Sequence, residues 1–359
     1  MLQISGVGFR SVFPPPLTAR IIPFPRMISL NNEPCCVCGH AESELAWETT
    51  YPEHGYPGSF SLRRCRGCGL LFNSPRLDHE ELGRLYGGSY YFFNRPDSPE
   101  FDRAVPMYRR SVALVADQMP EKRALDIGGG RGYLPALLKQ LGWNAHAVEI
   151  STEASAYARN KFGLDVFTGT IEQYSASDQK QLFPLVTAID VIEHVPNPAA
   201  FIAAAAAVME TGGRLIVDTP NAAAKNARIE GITWKGFNPF HIYLFNPDNL
   251  AKLLQNHGLT VEKRFTYGNI PADRGDRPLA ARLGAFARRK LPAALLGPAA
   301  KAYFALRRVR GSDGRAQDNL SRAAAAARAP GTYLDSPDAS EELAASLAGD
   351  NMILIARKD

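Results

Sequence analysis

The chain has 359 residues, of which 45% are hydrophobic and 21% charged, an ordinary balance for a globular protein. Its longest apolar run, residues 199–209, is mostly Ala and is too short to cross a bilayer, which excludes a helical membrane protein. The net charge of +5 is local, because residues 270–330 alone carry 13 Lys or Arg and four Asp.

The first 30 residues contain three Arg, no acidic residue and five Pro. Prolines at this density are incompatible with the helix of a signal or transit peptide, so residues 1–30 are predicted to be a disordered leader. Alternatively, Met27 is the true start. Without a secretion signal we expect a cytoplasmic protein, and in a reducing compartment cysteines are more often metal ligands than disulfides.

The cysteines form two Cys-x-x-Cys-Gly knuckles, with 26 residues between them. Cys35, Cys38, Cys65 and Cys68 would present four thiolates tetrahedrally, as structural zinc requires, and Cys36 is the spare cysteine. We therefore predict a zinc-ribbon-like module over residues 31–80. A linker and an amphipathic helix that stops near Pro120 are predicted for residues 81–122.

Beyond residue 122, short apolar strands alternate with helices. The predicted strands are 124–127, 145–150, 165–168, 185–191, 214–218, 259–265 and 351–357, and the predicted helices are 133–141, 153–162, 198–209 and 247–257. Strands separated by helices of this size favour a parallel sheet with right-handed crossovers. The fold class is therefore α/β, a doubly wound, seven-stranded, mostly parallel sheet.

The core is predicted to occupy residues 123–269, and its final strand residues 336–359. Between them lies a basic insertion, residues 270–335. Apolar residues at helical spacing, such as Leu283 and Phe286, favour a helical cap there. Its charge would also fit a peripheral contact with a membrane surface.

A glycine-rich turn follows the first core strand, which contains Asp126 two residues before the first glycine. Gly128, Gly130 and Gly132 allow unusual backbone angles and a close approach of a ligand, and the next helix offers N–H groups to an anion. A nicotinamide site needs a further glycine where this chain has Tyr133 or Pro135, so that fingerprint fails. A plain tight turn is the alternative.

Further candidate cofactor-binding residues follow the next three strands. Glu149 could accept hydrogen bonds from a ribose diol, although a solvated acid at a strand end is the alternative. The apolar or small residues expected beside the cofactor are Ile150, Thr170, Ile171 and Ile189.

These motifs resemble those of class I methyltransferases. Asp126-Ile-Gly-Gly-Gly-Arg-Gly, Glu149 and Asp190-Val-Ile-Glu-His-Val-Pro-Asn-Pro are similar to the ubiquinone-biosynthesis-like O-methyltransferases. Asp218-Thr-Pro-Asn and His241-Ile-Tyr-Leu-Phe-Asn-Pro resemble a subset preceded by a zinc ribbon and tied to polysaccharide or natural-product pathways. The resemblance implies a Rossmann-like fold and S-adenosylmethionine as cofactor. Many relatives have an acid where this chain has Thr170.

Methyl transfer to a hydroxyl needs a base, and His194 and His241 follow strands that end at the ligand-binding edge. A helix cap and a core histidine are the respective alternatives. If the turn after the fourth strand is helical, Asp190, Glu193 and His194 share one face, which would suit a divalent metal. The candidate catalytic residues are therefore His194, His241 and Glu193.

The leading hypothesis is methyl transfer to O or C of a small-molecule or carbohydrate acceptor. The rival is an rRNA or tRNA methyltransferase that uses the ribbon and the basic insertion to bind its substrate. A zinc-ribbon binding module with a degenerate domain is a third hypothesis, which the intact cofactor motif disfavours. The fourth strand lacks both the Asn/Asp-Pro-Pro-aromatic motif and a Cys, so nucleic acid is disfavoured too. The sequence leaves the oligomeric state open.

Overall fold

A computed structural model gives the fold of the protein. It describes residues 27–30, 33–51, 56, 59–78, 80, 119, 121–268 and 347–359. The predicted leader before residue 27, the helix before Pro120 and the basic insertion lie outside these residues.

Seven strands form the central sheet. They are β6 (Arg123–Ile127), β7 (Asn144–Glu149), β8 (Asp165–Thr168), β9 (Phe183–Ile189), β10 (Met209–Pro220), β12 (Leu259–Tyr267) and β13 (Asn351–Lys358). Their order is β12-β13-β10-β9-β6-β7-β8, and only β13 runs antiparallel to its two neighbours. The doubly wound, mostly parallel sheet is thereby confirmed.

Six described α-helices connect or flank these strands. They are α1 (Tyr133–Gln140), α2 (Thr152–Phe162), α3 (Ile171–Ala176), α4 (Pro198–Ala207), α5 (Lys225–Glu230) and α6 (Pro247–Gln255). Every residue of β9 is buried, as a central parallel strand covered on both faces requires. Two apolar clusters cover the faces of the sheet, one including Leu125 and Val148 and the other Ala124 and Ala147.

A second, four-stranded sheet contains the cysteine knuckles. Its strands are β2 (Ser43–Thr50), β3 (Ser59–Cys65), β4 (Leu71–Asn73) and β11 (Tyr243–Leu244), in the order β11-β4-β3-β2. A short pair, β1 (Met27–Ile28) with β5 (Arg76–Leu77), lies beside it. Because β11 comes from the C-terminal half of the chain, the ribbon is joined to the main domain by backbone pairing.

The element boundaries differ from the predictions in a few places. β9 begins and ends two residues early, α4 ends at Ala207, and β10 is longer than predicted because a register shift between Met209 and Arg214 lets it start at Met209. The short helix α3 was not predicted. Among the described residues, no helix is long and apolar enough to cross a membrane.

Candidate functional site

The glycine turn lies where β6 and β7 end, at the carboxyl edge of the sheet. Gly128 has φ 71°, and its backbone N–H donates to the Val148 carbonyl at 2.8 Å. A Cβ on Gly128 would lie 2.4 Å from Cγ2 of Val191, in the loop after β9. The close approach requires glycine and brings the turn against the loop that carries His194.

Two buried carboxylates support this turn. Glu149, 3% exposed, accepts hydrogen bonds from the backbone N–H groups of Gly130 and Ser151, both at 2.7 Å. Asp126 accepts one from the Thr187 hydroxyl at 2.6 Å, and burial raises the pKa of its carboxyl to about 7. Glu149 thus fixes the turn and retains lone pairs for a ligand hydroxyl.

The other predicted cofactor residues occupy different surroundings. Ile150 is 58% exposed beside Glu149, and such an exposed apolar side chain suits contact with a planar ring. Thr170 caps α3 with its hydroxyl while its N–H bonds the Gln173 side chain, and Ile171 is buried.

The remaining two residues are also largely enclosed. Ile189 is 9% exposed at the end of β9. A Cβ on Gly132 would meet Leu164 at 2.5 Å and Ala158 at 2.8 Å, so close packing against α2 explains this glycine. Its contact with a cofactor stays a prediction, as do those of Thr170, Ile171 and Ile189.

The loop after β9 turns abruptly. Asp190 has φ 53°, in the left-handed region that non-glycine residues rarely adopt, and its N–H donates to the Asp218 carbonyl at 2.9 Å. A single 3-10 turn, Ile192–His194, follows. The turn is therefore not α-helical. Burial raises the pKa of the Asp190 carboxyl and the charges of Glu193 and His194 still affect it, but Asp190 does not join the set of converging ligand atoms.

Instead, His194 lies beside His241. Their ring centroids are 4.9 Å apart with the planes at 72°. Nδ1 of His194 lies 2.9 Å from the Phe240 carbonyl oxygen, and Nδ1 of His241 lies 2.8 Å from that of Gly236. A carbonyl can only accept, so each Nδ1 carries the proton in the neutral ring and each Nε2 is an acceptor.

Burial keeps both imidazoles neutral. It lowers the pKa of His194, and it lowers that of His241 to about 3, with His194 contributing second. Each ring therefore presents a proton-accepting nitrogen at neutral pH.

Glu193 completes the cluster. It is 1% exposed, its Oε2 accepts from the Thr219 hydroxyl at 2.8 Å, and its Oε1 lies 3.8 Å from Nε2 of His194. Oε1 is buried without a hydrogen-bond partner, and burial raises the pKa of the carboxyl to about 7. Ligand atoms of Glu193, His194 and His241 lie within 4.8 Å of one another, a set that does not include Asp190.

The four predicted zinc ligands converge in the ribbon. Sγ of Cys35 is 3.6 Å from that of Cys68, and Sγ of Cys38 is 3.5 Å from that of Cys65. All five cysteines are free, and Cys36 is outside the set. A tetrahedron with Zn–S bonds of about 2.3 Å has S–S edges of about 3.8 Å, so the four sulfurs fit structural zinc.

Comparisons with known proteins agree with this geometry. A family model described as a methyltransferase domain matches residues 102–264. The matched range contains the strands β6 to β10, the glycine turn and the loop after β9. Among curated relatives, a ubiquinone biosynthesis O-methyltransferase of Xanthomonas euvesicatoria is 31% identical over 153 residues, which are 39% of this chain and 63% of that protein. One from Saccharophagus degradans is 27% identical over 168 residues, 43% of this chain and 70% of that protein.

The chain thus spans less than two thirds of the length of the Xanthomonas relative. Among solved structures, a SAM-dependent methyltransferase of Archaeoglobus fulgidus has a TM-score of 0.44 at 16% identity, covering 75% of this chain and all of that one. A SAM-dependent methyltransferase of Thermotoga maritima has a TM-score of 0.42 at 17% identity, covering 73% and 92%.

The residues around the glycine turn fit S-adenosylmethionine. Gly128 and Gly130 form a tight turn that Glu149 holds from the adjacent strand end, and exposed Ile150 offers an apolar surface. These residues would hold the cofactor at the edge where His194 also lies.

The sequence did not indicate two groups that form hydrogen bonds with the candidate catalytic residues. The Thr219 hydroxyl and the Phe240 carbonyl orient Glu193 and His194. Thr219 belongs to the Asp218-Thr-Pro-Asn motif, which was a usable signal, but a backbone carbonyl leaves no trace in a sequence.

Proposed function

We propose that the protein is an S-adenosylmethionine-dependent O-methyltransferase whose acceptor is a hydroxyl of a small molecule or carbohydrate. The observation that carries the proposal is the contact between the glycine turn and the loop that carries His194, whose neutral imidazole lies beside that of His241. The names of the curated relatives support transfer to oxygen.

The bound cofactor would supply an electrophilic methyl group. In this chain, Nε2 of His194 would take the proton of the acceptor hydroxyl, because its lone pair is fixed by the bond from Nδ1 to Phe240. The Glu193 carboxylate, 3.8 Å from Nε2, would stabilise the imidazolium that forms. His241 would accept a second hydrogen bond and orient the acceptor.

The proposal is tested by incubating the protein with S-adenosylmethionine and acceptors that carry hydroxyls, including sugar nucleotides, phenols and RNA. We expect S-adenosylhomocysteine and a methylated small molecule or sugar. Methylation of RNA alone, with affinity that falls steeply with salt, would favour the nucleic-acid hypothesis.

Cofactor binding can be tested without an acceptor. S-adenosylhomocysteine should raise the melting temperature of the wild type, and Gly128→Val should abolish that shift because the side chain would collide with Val191. Gly142→Ala is the matched control, since Gly142 also has positive φ but has nothing within 4 Å of its Cβ position. A full shift in Gly128→Val would place the cofactor elsewhere.

The pH dependence follows from Glu193. Its pKa of about 7 means that the carboxylate beside His194 forms as the pH rises through neutrality, while His194 with its lowered pKa is already neutral. We expect kcat/KM to rise with a midpoint near pH 7, and Glu193→Gln to lower the rate and remove this rise. A variant that keeps the midpoint would assign it to another group.

A further inference from the structure

The zinc ribbon contacts the segment that carries His241. We call residues 234–245 the histidine segment. Near its end, Tyr243 and Leu244 form β11 and pair with Phe72 and Leu71 of the ribbon strand β4. The ribbon therefore packs against the segment that positions His241 beside His194.

Asn73, at the end of β4, forms two hydrogen bonds with the histidine segment. Its backbone N–H donates to the Ile242 carbonyl at 2.9 Å, and its Nδ2 donates to the Pro239 carbonyl at 3.1 Å. The side chain is completely buried, so each of these bonds matters. The two bonds bracket Phe240 and His241.

Phe240 contacts both the ribbon and His194. Its ring lies edge-on to Tyr51 and Tyr56 of the ribbon, with centroids 6.1 Å away in both cases. Its carbonyl oxygen accepts from Nδ1 of His194. A shift of this residue would move the carbonyl that fixes the tautomer of the base.

The zinc knuckle sets the position of β4. β3 ends at Cys65 and β4 begins three residues after Cys68, and the Cys65 N–H donates to the Leu70 carbonyl at 2.9 Å. A metal on Cys65 and Cys68 would hold the two strands in register. The chain of contacts runs from the knuckle through Asn73 and Phe240 to His194.

We infer that Asn73 is a positioning residue, through which the ribbon holds the Phe240 carbonyl and thereby the Nδ1–H tautomer of His194. The inference rests on the proposed function for its effect on turnover. Its effect on the histidine tautomer is independent of any acceptor.

The test is Asn73→Asp, which places a carboxylate against the Pro239 carbonyl. Imidazole nitrogen NMR of the full-length, zinc-loaded protein should show His194 changing from the Nδ1–H tautomer to a mixture. With an acceptor, kcat should fall about 100-fold, as expected for a misplacement of about 1 Å, while the affinity for S-adenosylhomocysteine and the zinc content stay unchanged.

Asn256→Ala is the control, because Asn256 also donates its Nδ2 across the boundary between domain and ribbon, to the Val37 carbonyl at 2.8 Å, while its backbone N–H donates to Lys252 of α6. Should Asn73→Asp not fold, Phe240→Leu keeps the backbone carbonyl and removes the contacts with Tyr51 and Tyr56, and should shift the tautomer in the same direction. An unchanged tautomer in the folded variants, or the same change in Asn256→Ala, would overturn the inference. Absence of turnover by the wild type with every acceptor would contradict the proposed function, while the tautomer result still decides this inference.

Discussion

Replacing His194 by alanine should lower kcat by 10²–10⁴-fold, the usual contribution of a positioned general base. The affinity for S-adenosylhomocysteine should not change, because the glycine turn and Glu149 do not depend on the imidazole. The measurement is steady-state turnover alongside calorimetric binding. Added imidazole should restore part of the rate, since the cavity left by the side chain still faces Glu193.

His257→Ala is the control. His257 follows α6 and belongs neither to the set of four cysteines nor to the set of Glu193, His194 and His241. The same measurements separate the base from a metal activator. Glu193, His194 and His241 together offer suitable ligand atoms for a divalent cation. If a cation activated the acceptor, turnover by the desalted wild type would depend on added Mg²⁺, and imidazole would not restore the variant.

The sequence was sufficient for the parts of the site that depend on local backbone geometry. The glycines at 128 and 130 follow β6 and the acid at 149 ends β7, and parallel strands bring such residues to one edge. The cysteine knuckles are equally local, because each pair lies within four residues. The structure places these residues where the sequence predicted them, and their contacts with a cofactor or metal stay predictions.

The grouping around His194 could not be predicted in the same way. An α-helical turn would have placed Asp190 with Glu193 and His194, but the left-handed Asp190 and the 3-10 turn break that periodicity. His241 lies beside His194. It precedes β11, a strand of two residues that is too short to give a pattern in the sequence. The pKa of Glu193 depends on burial by several elements, which only the fold determines.

Loss of the zinc site should have an effect beyond the ribbon. Cys65→Ser is expected to release the metal, because a structural site needs its complete set of cysteine ligands. In zinc-finger peptides, the binding of structural zinc contributes about 10–16 kcal/mol to folding. The ribbon should unfold over residues 35–75, and β11 would lose its partner β4. Cys36→Ser should keep about one zinc per chain, because Cys36 is not among the four ligands.

Turnover and cofactor binding should then separate. Unfolding of the ribbon removes Asn73, Tyr51 and Tyr56 from the histidine segment, so turnover should be lost. The Gly130–Glu149 bond and the close approach of Gly128 to Val191 lie wholly within the main domain, so S-adenosylhomocysteine should still raise the melting temperature. Metal analysis, proteolysis of the ribbon, turnover and the thermal shift together test this. A metal-free Cys65→Ser protein that keeps a protease-resistant ribbon and full activity would show that the four thiolates do not hold a structural metal.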